Sequence, residues 1–442
     1  MFQFDFLNDD FTKLPQSLQD IINDAEKSKK LVIYINPPYA EATASDTISG
    51  NLRHKAGVSA NKTYNKYFSL LGRGINELFI QFLVRIFFEI PNCKIANFST
   101  LKQLQSQNFS SFRNVFLAKL QSCFIVPAST FDNVKGSFPI GFFIWDTFEK
   151  VRFDSVQVDV FDKDESFIGN KTIRVVEKNG VILNWMQNFY DNQGDRLAYM
   201  VRGASDFQNN KIVFIDNSPS KAVIEHSQTH NITKKNLIPN CIFYTVRKVI
   251  TATWLNDRDQ FLYPNDGWQT DSEFQNDCLA FTLFSNNIQS KYGANHWIPF
   301  TEQEVNAKEK FASHFMTDFI NGKLKVEQQA QNTLFENEAI NAAQSNQGNQ
   351  GNQPRQFSPE ATAVFDAGRA LWQYYHQQKG VNVNASYYDI RAYFQGRNAA
   401  GRMNAKSDDA NYTALIGELR NTLNQLADKI KPKIFEYGFL KE

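Results

Sequence analysis

Apolar residues in the first 150 positions recur with two spacings, one typical of strands and one typical of helices. A β-branched run at residues 31–35 ends at Pro37 and Pro38, which lack backbone donors and stop a strand. Residues 76–89 have a helical spacing that Pro91 ends. The pattern then predicts, in order, a strand over 94–98, a helix over 109–120, and strands over 123–127 and 140–145. This order predicts an open, mostly parallel α/β sheet whose last strands form a hairpin.

The pattern changes near residue 151, so we predict further domains. Residues 151–327 contain short alternating stretches interrupted by Asn, Asp and Gly, among them 171–176 and 211–215, and we predict a β-rich domain. Residues 328–356 are rich in Gln, Asn and Gly, a composition that cannot offset its ordering entropy and predicts a flexible linker. Residues 357–442 return to helical spacing and predict a small helical domain.

Length and charge exclude two classes of protein. The chain has 442 residues, and at roughly 150 residues per domain it should form about three domains rather than one small module. Lys and Arg number 47 against 46 for Asp and Glu, for a net charge of +1. Binding of nucleic acid by bulk positive charge is therefore excluded, and any basic surface must be local.

The sequence carries no signal for a membrane or for export. The longest apolar run, near residues 78–88, is interrupted by Gln81 and Arg85 and is shorter than the roughly 18 to 20 residues that a span needs. Asp5 and Asp9 lie where a secretory signal would be apolar. We expect a cytoplasmic protein without a membrane partner. Four cysteines without a CxxC pair suit a reducing compartment, and we predict buried thiols rather than a zinc site.

The segment with the most chemical information follows the first predicted strand and reads Asn36-Pro37-Pro38-Tyr39. Chemistry on an exocyclic amine needs acceptors for both N–H groups, so that the nitrogen lone pair turns toward an electrophile. The Asn36 side-chain oxygen and a proline carbonyl can supply them. Tyr39 offers a stacking face for a base taken out of a duplex, worth about 1–3 kcal/mol. The alternative is an ordinary strand end with an Asn-Pro turn.

The flanking sequence extends this segment into a longer motif. It includes Asn76-Glu77-Leu78-Phe79 at the start of a helix, the strand at 94–98, and the predicted hairpin Ser137-Phe138-Pro139-Ile140-Gly141-Phe142-Phe143-Ile144-Trp145. In order and spacing, residues 1–150 resemble the N6-adenine DNA methyltransferases of restriction-modification systems, which use S-adenosylmethionine. The resemblance implies a partial Rossmann-like methyltransferase sheet with a C-terminal hairpin, followed by a β-rich target-recognition domain.

The same resemblance implies a role for each matching residue. Asn36 and the Pro37 carbonyl would hold the adenine amine, with Pro38 making the corner rigid. Tyr39 would stack on the flipped base, and Phe138 would close the pocket from the opposite side. The implied partner is double-stranded DNA.

The cofactor motifs match less completely. Asp5-Phe6-Leu7 resembles the strand end whose Asp binds the adenine of S-adenosylmethionine. The family's glycine-rich turn and acidic ribose ligand are not found in the sequence, since residues 70–74 contain only GxG and residues 364–368 a single glycine. We therefore expect one half of a split enzyme or a truncated enzyme, with a separate polypeptide supplying these motifs.

Other clusters are weaker candidates. His226 and His230 are four residues apart but have no third ligand, and we predict surface histidines and no metal site. Asp162, Asp164, Glu165 and Lys171 suit a nuclease cluster less well than a charged hairpin.

Two groups of basic residues are candidates for phosphate contacts. One lies in the second predicted domain and the other, interleaved with aromatic residues, in the last; for both, a solvated face remains the alternative. They comprise Lys234, Lys235, Arg247 and Lys248, and then Arg391, Arg397, Arg402 and Lys406 with Tyr387, Tyr388, Tyr393 and Phe394.

The sequence thus leaves three functions open. The first is methylation of adenine in DNA by one part of a restriction-modification enzyme. The second is methylation of an RNA base or a protein glutamine, although such enzymes usually end soon after the hairpin. The third is a catalytically inactive DNA-binding specificity fragment, because the cofactor turn is missing.

Overall fold

The computed structural model describes residues 2–37, 61–90, 92–131, 136–177, 179–225, 229–324 and 353–441. These residues form two compact units. Unit 1 comprises residues 1–181, 206–208 and 252–260, and unit 2 comprises 182–205, 209–251 and 261–442. The predicted division into domains at 150, 327 and 356 stays a prediction, and most of the predicted linker lies outside the described residues.

Unit 1 is mixed α/β, which confirms the predicted class. Its helices are α1 (Gln16–Ile22), α2 (Ala25–Ser28), α3 (Lys62–Leu71), α4 (Leu78–Glu89), α5 (Lys102–Gln105) and α6 (Ser110–Val115). Its strands are β1 (Val32–Ile35), β2 (Lys94–Thr100), β3 (Ala118–Pro127), β4 (Pro139–Lys150), β5 (Ser155–Phe161) and β6 (Phe167–Arg174).

The six strands form one sheet in the order β1-β2-β4-β3-β5-β6. Strands β1 and β2 are parallel, as are β3 and β5, whereas the other three neighbouring pairs are antiparallel. The predicted hairpin is therefore confirmed as β3–β4, but the prediction of a mostly parallel sheet is wrong. The reason is the short connections β3–β4 and β5–β6, because a short connection can join only antiparallel neighbours.

One face of this sheet packs against the helices of unit 1. Alternation along each strand sends Ile95, Ile125 and Phe143 into the main core, which also contains buried residues of α3 and α4. The alternate residues Val126 and Ile140 point to the opposite face and form a small second cluster. The sheet thus has a helix-covered face and a second face with its own apolar cluster.

The predicted helix over 109–120 ends early, at Val115. From Ala118 the chain is strand, with Ala118 opposite Lys150 and Leu120 opposite Trp145 of β4. A short apolar stretch suits either element, and here pairing along the whole of β4 decides in favour of the strand.

Unit 2 is mainly helical. Its helices are α7 (Ile182–Gln187), α8 (Lys221–Glu225), α9 (Leu237–Val249), α10 (Ser272–Leu283), α11 (Phe315–Ile320), α12 (Pro359–His376), α13 (Tyr387–Gln395) and α14 (Ala410–Glu436). Its strands β7 (Ala198–Val201), β8 (Phe214–Asp216) and β9 (Thr229–Ile232) form an antiparallel sheet in the order β8-β7-β9. The helices α12 to α14 confirm the predicted helical character of the last segment.

The expectation that residues 151–327 are β-rich is wrong for most of that range. Strands β5 and β6 extend the sheet of unit 1, and α9 and α10 are helices. Helix α9 is buried along nearly its whole length, and its run of β-branched and aromatic residues suits a strand as well as a helix. Within the described residues, no helix is both long and apolar enough to cross a bilayer.

Candidate functional site at the carboxyl end of the first strand

Asn36 and Pro37 lie directly after β1, at its carboxyl end. Asn36 is exposed, whereas Pro37 is buried. Ile35, the last residue of β1, pairs with Asn97 of the parallel strand β2. An exposed amide at this end of a parallel pair is in the usual place for a ligand-binding side chain in an α/β sheet. The predicted residues Pro38 and Tyr39 lie outside the described residues.

Phe138 lies at the same edge of the sheet but at some distance from Asn36. It immediately precedes β4, whose antiparallel pairing with β2 brings its first residues to the carboxyl end of β2. Continuing the register one residue past Ile35 puts Asn36 level with Phe142, four residues after Phe138. Four residues of strand span about 13 Å. Asn36 and Phe138 therefore lie at the same end of the strands but are offset from each other along the strand direction.

Phe138 is half-buried and packs against Val126, Ala128 and Ile140. Its backbone carbonyl accepts a hydrogen bond of 2.9 Å from the Ala128 backbone N–H, which ties the start of β4 to the end of β3. The guanidinium carbon of Arg258 lies 5.9 Å from the centre of the Phe138 ring, within cation–π range. The ring is therefore held in place on one side.

Arg258 is a residue of this edge that the sequence did not reveal. Its Nε lies 3.2 Å from a carboxylate oxygen of Asp257, and it also donates a hydrogen bond to the side-chain oxygen of Gln208. Only 13% of the Arg258 side chain is exposed, so this ion pair is shielded from solvent. Nothing in the local sequence Asp-Arg-Asp distinguishes Arg258 from a surface residue, because its contact with Phe138 spans more than 100 residues.

A buried polar network lies under the carboxyl end of β2. The Trp145 indole N–H donates to the Asn97 side-chain oxygen at 3.1 Å, and the Asn97 amide donates to the Ser99 hydroxyl at 3.2 Å. The Gln103 amide donates to the same hydroxyl at 2.9 Å. All these groups are almost fully buried, and their hydrogen bonds order the side chains at the end of β2, where Asn97 pairs with Ile35 of β1.

Asp5 is exposed, and its carboxylate binds its own turn. One oxygen accepts from the Leu7 backbone N–H at 3.1 Å and the other from the Asn8 side-chain amide at 2.8 Å. Phe6 stacks on Phe82 of α4, with ring centres 5.1 Å apart. Both residues have roles in folding the N-terminal segment, and among the described residues no contact joins either of them to Asn36.

The four cysteines are buried, which confirms the prediction. Burial raises the pKa of Cys93 to about 11 and that of Cys241 to about 12, so neither thiol is a ready nucleophile near neutral pH. Across the described ranges, no three His, Cys, Asp or Glu side chains are grouped so as to hold a metal ion.

The remaining candidates have structural roles. The acidic cluster is the predicted hairpin turn, in which Asp162 accepts hydrogen bonds from the backbone N–H groups of Asp164 and Ser166. The prediction of surface histidines is wrong for His230, which is 7% exposed and bonded to Asn240 at 2.7 Å because β9 packs against α9. His226 lies outside the described residues.

Arg247 cannot contact phosphate in this fold. It is fully buried, and it donates hydrogen bonds to the Asn210 side chain at 2.6 Å and the Ala204 carbonyl at 2.7 Å. Lys248 donates to the Asn210 carbonyl at 2.6 Å. The sequence misled here because a basic pair at a helix end is usually solvated, whereas this pair binds an adjacent loop.

Comparisons with known proteins give little further information. No protein-family model matches the chain, and no curated protein matches it. Among solved structures, it is similar to the ATP-dependent Type ISP restriction-modification enzyme LlaBIII bound to DNA, with 11% identity and a TM-score of 0.23. The match covers 51% of this chain and 17% of that one. A likeness at this level carries no argument about activity.

Proposed function

We propose that this chain takes part in the methylation of the N6 amine of adenine in duplex DNA, as part of a restriction-modification system. In this proposal Asn36 and the Pro37 carbonyl accept the two N–H groups of the amine. This orients the nitrogen lone pair away from the ring and toward the methyl donor. Tyr39 stacks on the flipped base.

The observation that supports this function most directly is the position of Asn36. It is an exposed amide followed by a buried proline at the carboxyl end of β1, next to the parallel strand β2. A turn that merely ended a strand would not need a buried polar network to fix the neighbouring strand end, whereas a hydrogen-bonding site does need fixed geometry. Because of the offset along the sheet, the proposal assigns Phe138 to the opposite wall of the pocket rather than to a contact with Asn36.

The implied cofactor, S-adenosylmethionine, would supply the methyl group, but the described residues do not form a complete site for it. Both carboxylate oxygens of Asp5 already accept hydrogen bonds within their own turn. The sequence also offers no glycine-rich turn for the methionine part of the molecule. The proposal therefore includes a partner polypeptide that supplies these parts.

The proposal is tested by methyl transfer from labelled S-adenosylmethionine to adenine-containing duplex DNA. The full chain is assayed alone and with the product of the reading frame immediately upstream, which is the first candidate for the partner. Asn36→Ala removes one acceptor for the amine, so the single-turnover rate should fall by about 10²- to 10³-fold while DNA binding is retained.

Asn114→Ala is the matched control, because Asn114 is an exposed asparagine of unit 1 outside the candidate site, and its rate should equal that of the wild type. An equal rate in Asn36→Ala would remove Asn36 from the reaction. Label recovered in RNA or in protein glutamine, and not in DNA, would overturn the proposed substrate.

A further inference from the structure

Residues 396–407, between α13 and α14, form an exposed basic loop in unit 2. The loop carries Arg397, Arg402 and Lys406, all exposed, and no acidic residue. The acidic residues that follow are Asp408 and Asp409. Asp409 is engaged as the N-cap of α14, where its carboxylate accepts a hydrogen bond from the Tyr412 backbone N–H at 2.8 Å.

The tip of this basic loop is a hairpin with a defined turn. Arg397 pairs with Met403 in an antiparallel bridge, and the Asn398 N–H donates to the Arg402 carbonyl at 2.9 Å. Gly401 has a φ of 74°, the left-handed conformation that closes a three-residue hairpin loop. The Asn398 side chain accepts from the backbone N–H groups of Ala400 and Arg402, each at 3.0 Å. The Arg397 guanidinium donates to the Gly401 carbonyl at 2.9 Å and to the Tyr388 hydroxyl at 3.2 Å, so it is held against the hairpin, and the exposed side chain of Arg402 stands on the same ordered backbone.

The base of the basic loop is tied to both neighbouring helices. Gln395, at the end of α13, donates to the Asn404 carbonyl at 2.5 Å, and the Asn404 amide donates back to the Gln395 carbonyl at 3.0 Å. The Tyr412 hydroxyl of α14 donates to the Gln395 side chain at 2.9 Å. The Ser407 hydroxyl donates to the Phe394 carbonyl at 2.7 Å. A loop anchored at this many points loses little entropy when it binds a ligand.

The positive charges of the basic loop are not neutralised within the described part of the chain, where no carboxylate lies within 4.0 Å of Arg397, Arg402 or Lys406. By contrast, the lysines in the second half of α14 are paired with acids, as Lys429 is with Asp277 at 2.7 Å.

The chemistry of the basic loop suits the phosphates of DNA better than a membrane or an acidic protein. Its tip consists of small residues, Asn398 to Gly401, which allow the backbone to approach closely, and guanidinium groups bind phosphate oxygens in pairs. It has no exposed aromatic or leucine that would enter a lipid surface.

We propose that the basic loop is a contact surface for the phosphate backbone of duplex DNA. The identity of this ligand rests on the proposed function, but the contact does not depend on methyl transfer. Its binding energy is independent of base sequence, since the side chains would touch phosphates and not base edges.

The test is a titration of the full chain with a labelled duplex of only G·C pairs, at several salt concentrations. Such a duplex has no adenine to flip, so binding reports on backbone contacts alone. The double variant Arg402→Ala/Lys406→Ala should bind more weakly, and the slope of log K against log salt should fall by about 0.9 for each lost phosphate contact, about 2 in total.

The matched control is Lys308→Ala/Lys310→Ala, which removes the same charge from exposed lysines elsewhere in unit 2 and should keep the wild-type slope. Thermal unfolding should be unchanged in both, because the replaced side chains are exposed. Wild-type affinity and slope in the loop variant, or no binding of the duplex by the wild type, would overturn the proposal. The proposal would also be overturned if the loop variant lost binding to anionic vesicles or acidic peptides but kept its binding to the DNA duplex. If the loop variant binds DNA more weakly but the wild type transfers no methyl group, the proposed function is rejected and the DNA contact is kept.

Discussion

At the scale of single residues, the same side chain has different roles according to what packs around it. Arg247 is fully buried and bound to neutral oxygens, whereas Arg402 is exposed on a hairpin with no carboxylate near it among the described residues. The sequence suggested phosphate contacts for both. Only burial, which arises from tertiary packing, separates an internal cation that holds a loop from one available to a ligand.

His230 gives a prediction at this scale. Burial lowers the pKa of His230 from 6.5 to about 4; the charge of Arg202 acts in the same direction, whereas the hydrogen bond with Asn240 opposes the shift. The unfolded chain therefore binds the proton first as the pH falls. The stabilisation from neutral His230 is complete above about pH 6.5 and is lost progressively toward pH 4, amounting to about 2 kcal/mol between pH 7.5 and pH 5.

The measurement is urea unfolding at pH 7.5 and pH 5, on the wild type and on His230→Gln. The Gln side chain does not titrate, so the wild type should lose about 2 kcal/mol more than the variant between the two pH values. The same loss in both proteins would show that His230 is not held neutral in the folded state.

At the scale of elements, the sequence predicts the helices and strands whose hydrophobic pattern and end signals lie within the element itself. The strand β1, the helix α4 and the hairpin β3–β4 each combine a clear period with a proline or turn residue at the end. Helix α9 is rich in β-branched and aromatic residues such as Ile242, Phe243 and Val246, so its local sequence suits a strand as well as a helix. In the basic loop between α13 and α14, the sequence Asn398-Ala-Ala-Gly401 indicates a turn. The hydrogen bonds that anchor the base of the loop cannot be predicted from the sequence.

Two helical glycines give a matched prediction. A Cβ on Gly368 of α12 would lie 2.2 Å from a ring carbon of Phe284, whereas a Cβ on Gly417 of α14 would meet nothing within 4 Å. Alanine improves helix propensity by about 1 kcal/mol at either position. At Gly368 the clash should outweigh this gain, because overpacking costs about 1–3 kcal/mol.

Gly368→Ala should therefore lower the free energy of unfolding, by up to about 2 kcal/mol, and Gly417→Ala should raise it by about 0.5–1 kcal/mol. Denaturant unfolding of both variants checks the two signs. Stabilisation by both substitutions would mean that Phe284 moves aside at little cost and that α12 is not closely packed there.

At the scale of the whole molecule, the sequence misses contacts between distant segments. Residues 206–208 and 252–260 belong to unit 1 although unit 2 residues flank them in the chain. From these segments come Arg258, which lies beside Phe138, and Gln208, which accepts a hydrogen bond from Arg258. The candidate site could thus be predicted as a motif, Asn36 to Tyr39 with Phe138, but not as a geometry, because the register and the contact with Arg258 depend on the complete fold.

The central claim is that an adenine is taken out of the duplex and held beside Asn36. If so, the full chain should bind a duplex with one mispaired adenine more tightly than a fully paired duplex. The reason is that extruding a mispaired base avoids much of the few kcal/mol that unpairing and unstacking cost. Tyr39→Ala should reduce this difference by about 1–3 kcal/mol, the value of base stacking, while the matched control Tyr292→Ala, an exposed tyrosine of unit 2, should keep it. Equal affinity for both duplexes, unchanged in Tyr39→Ala, would contradict the flipped-adenine site.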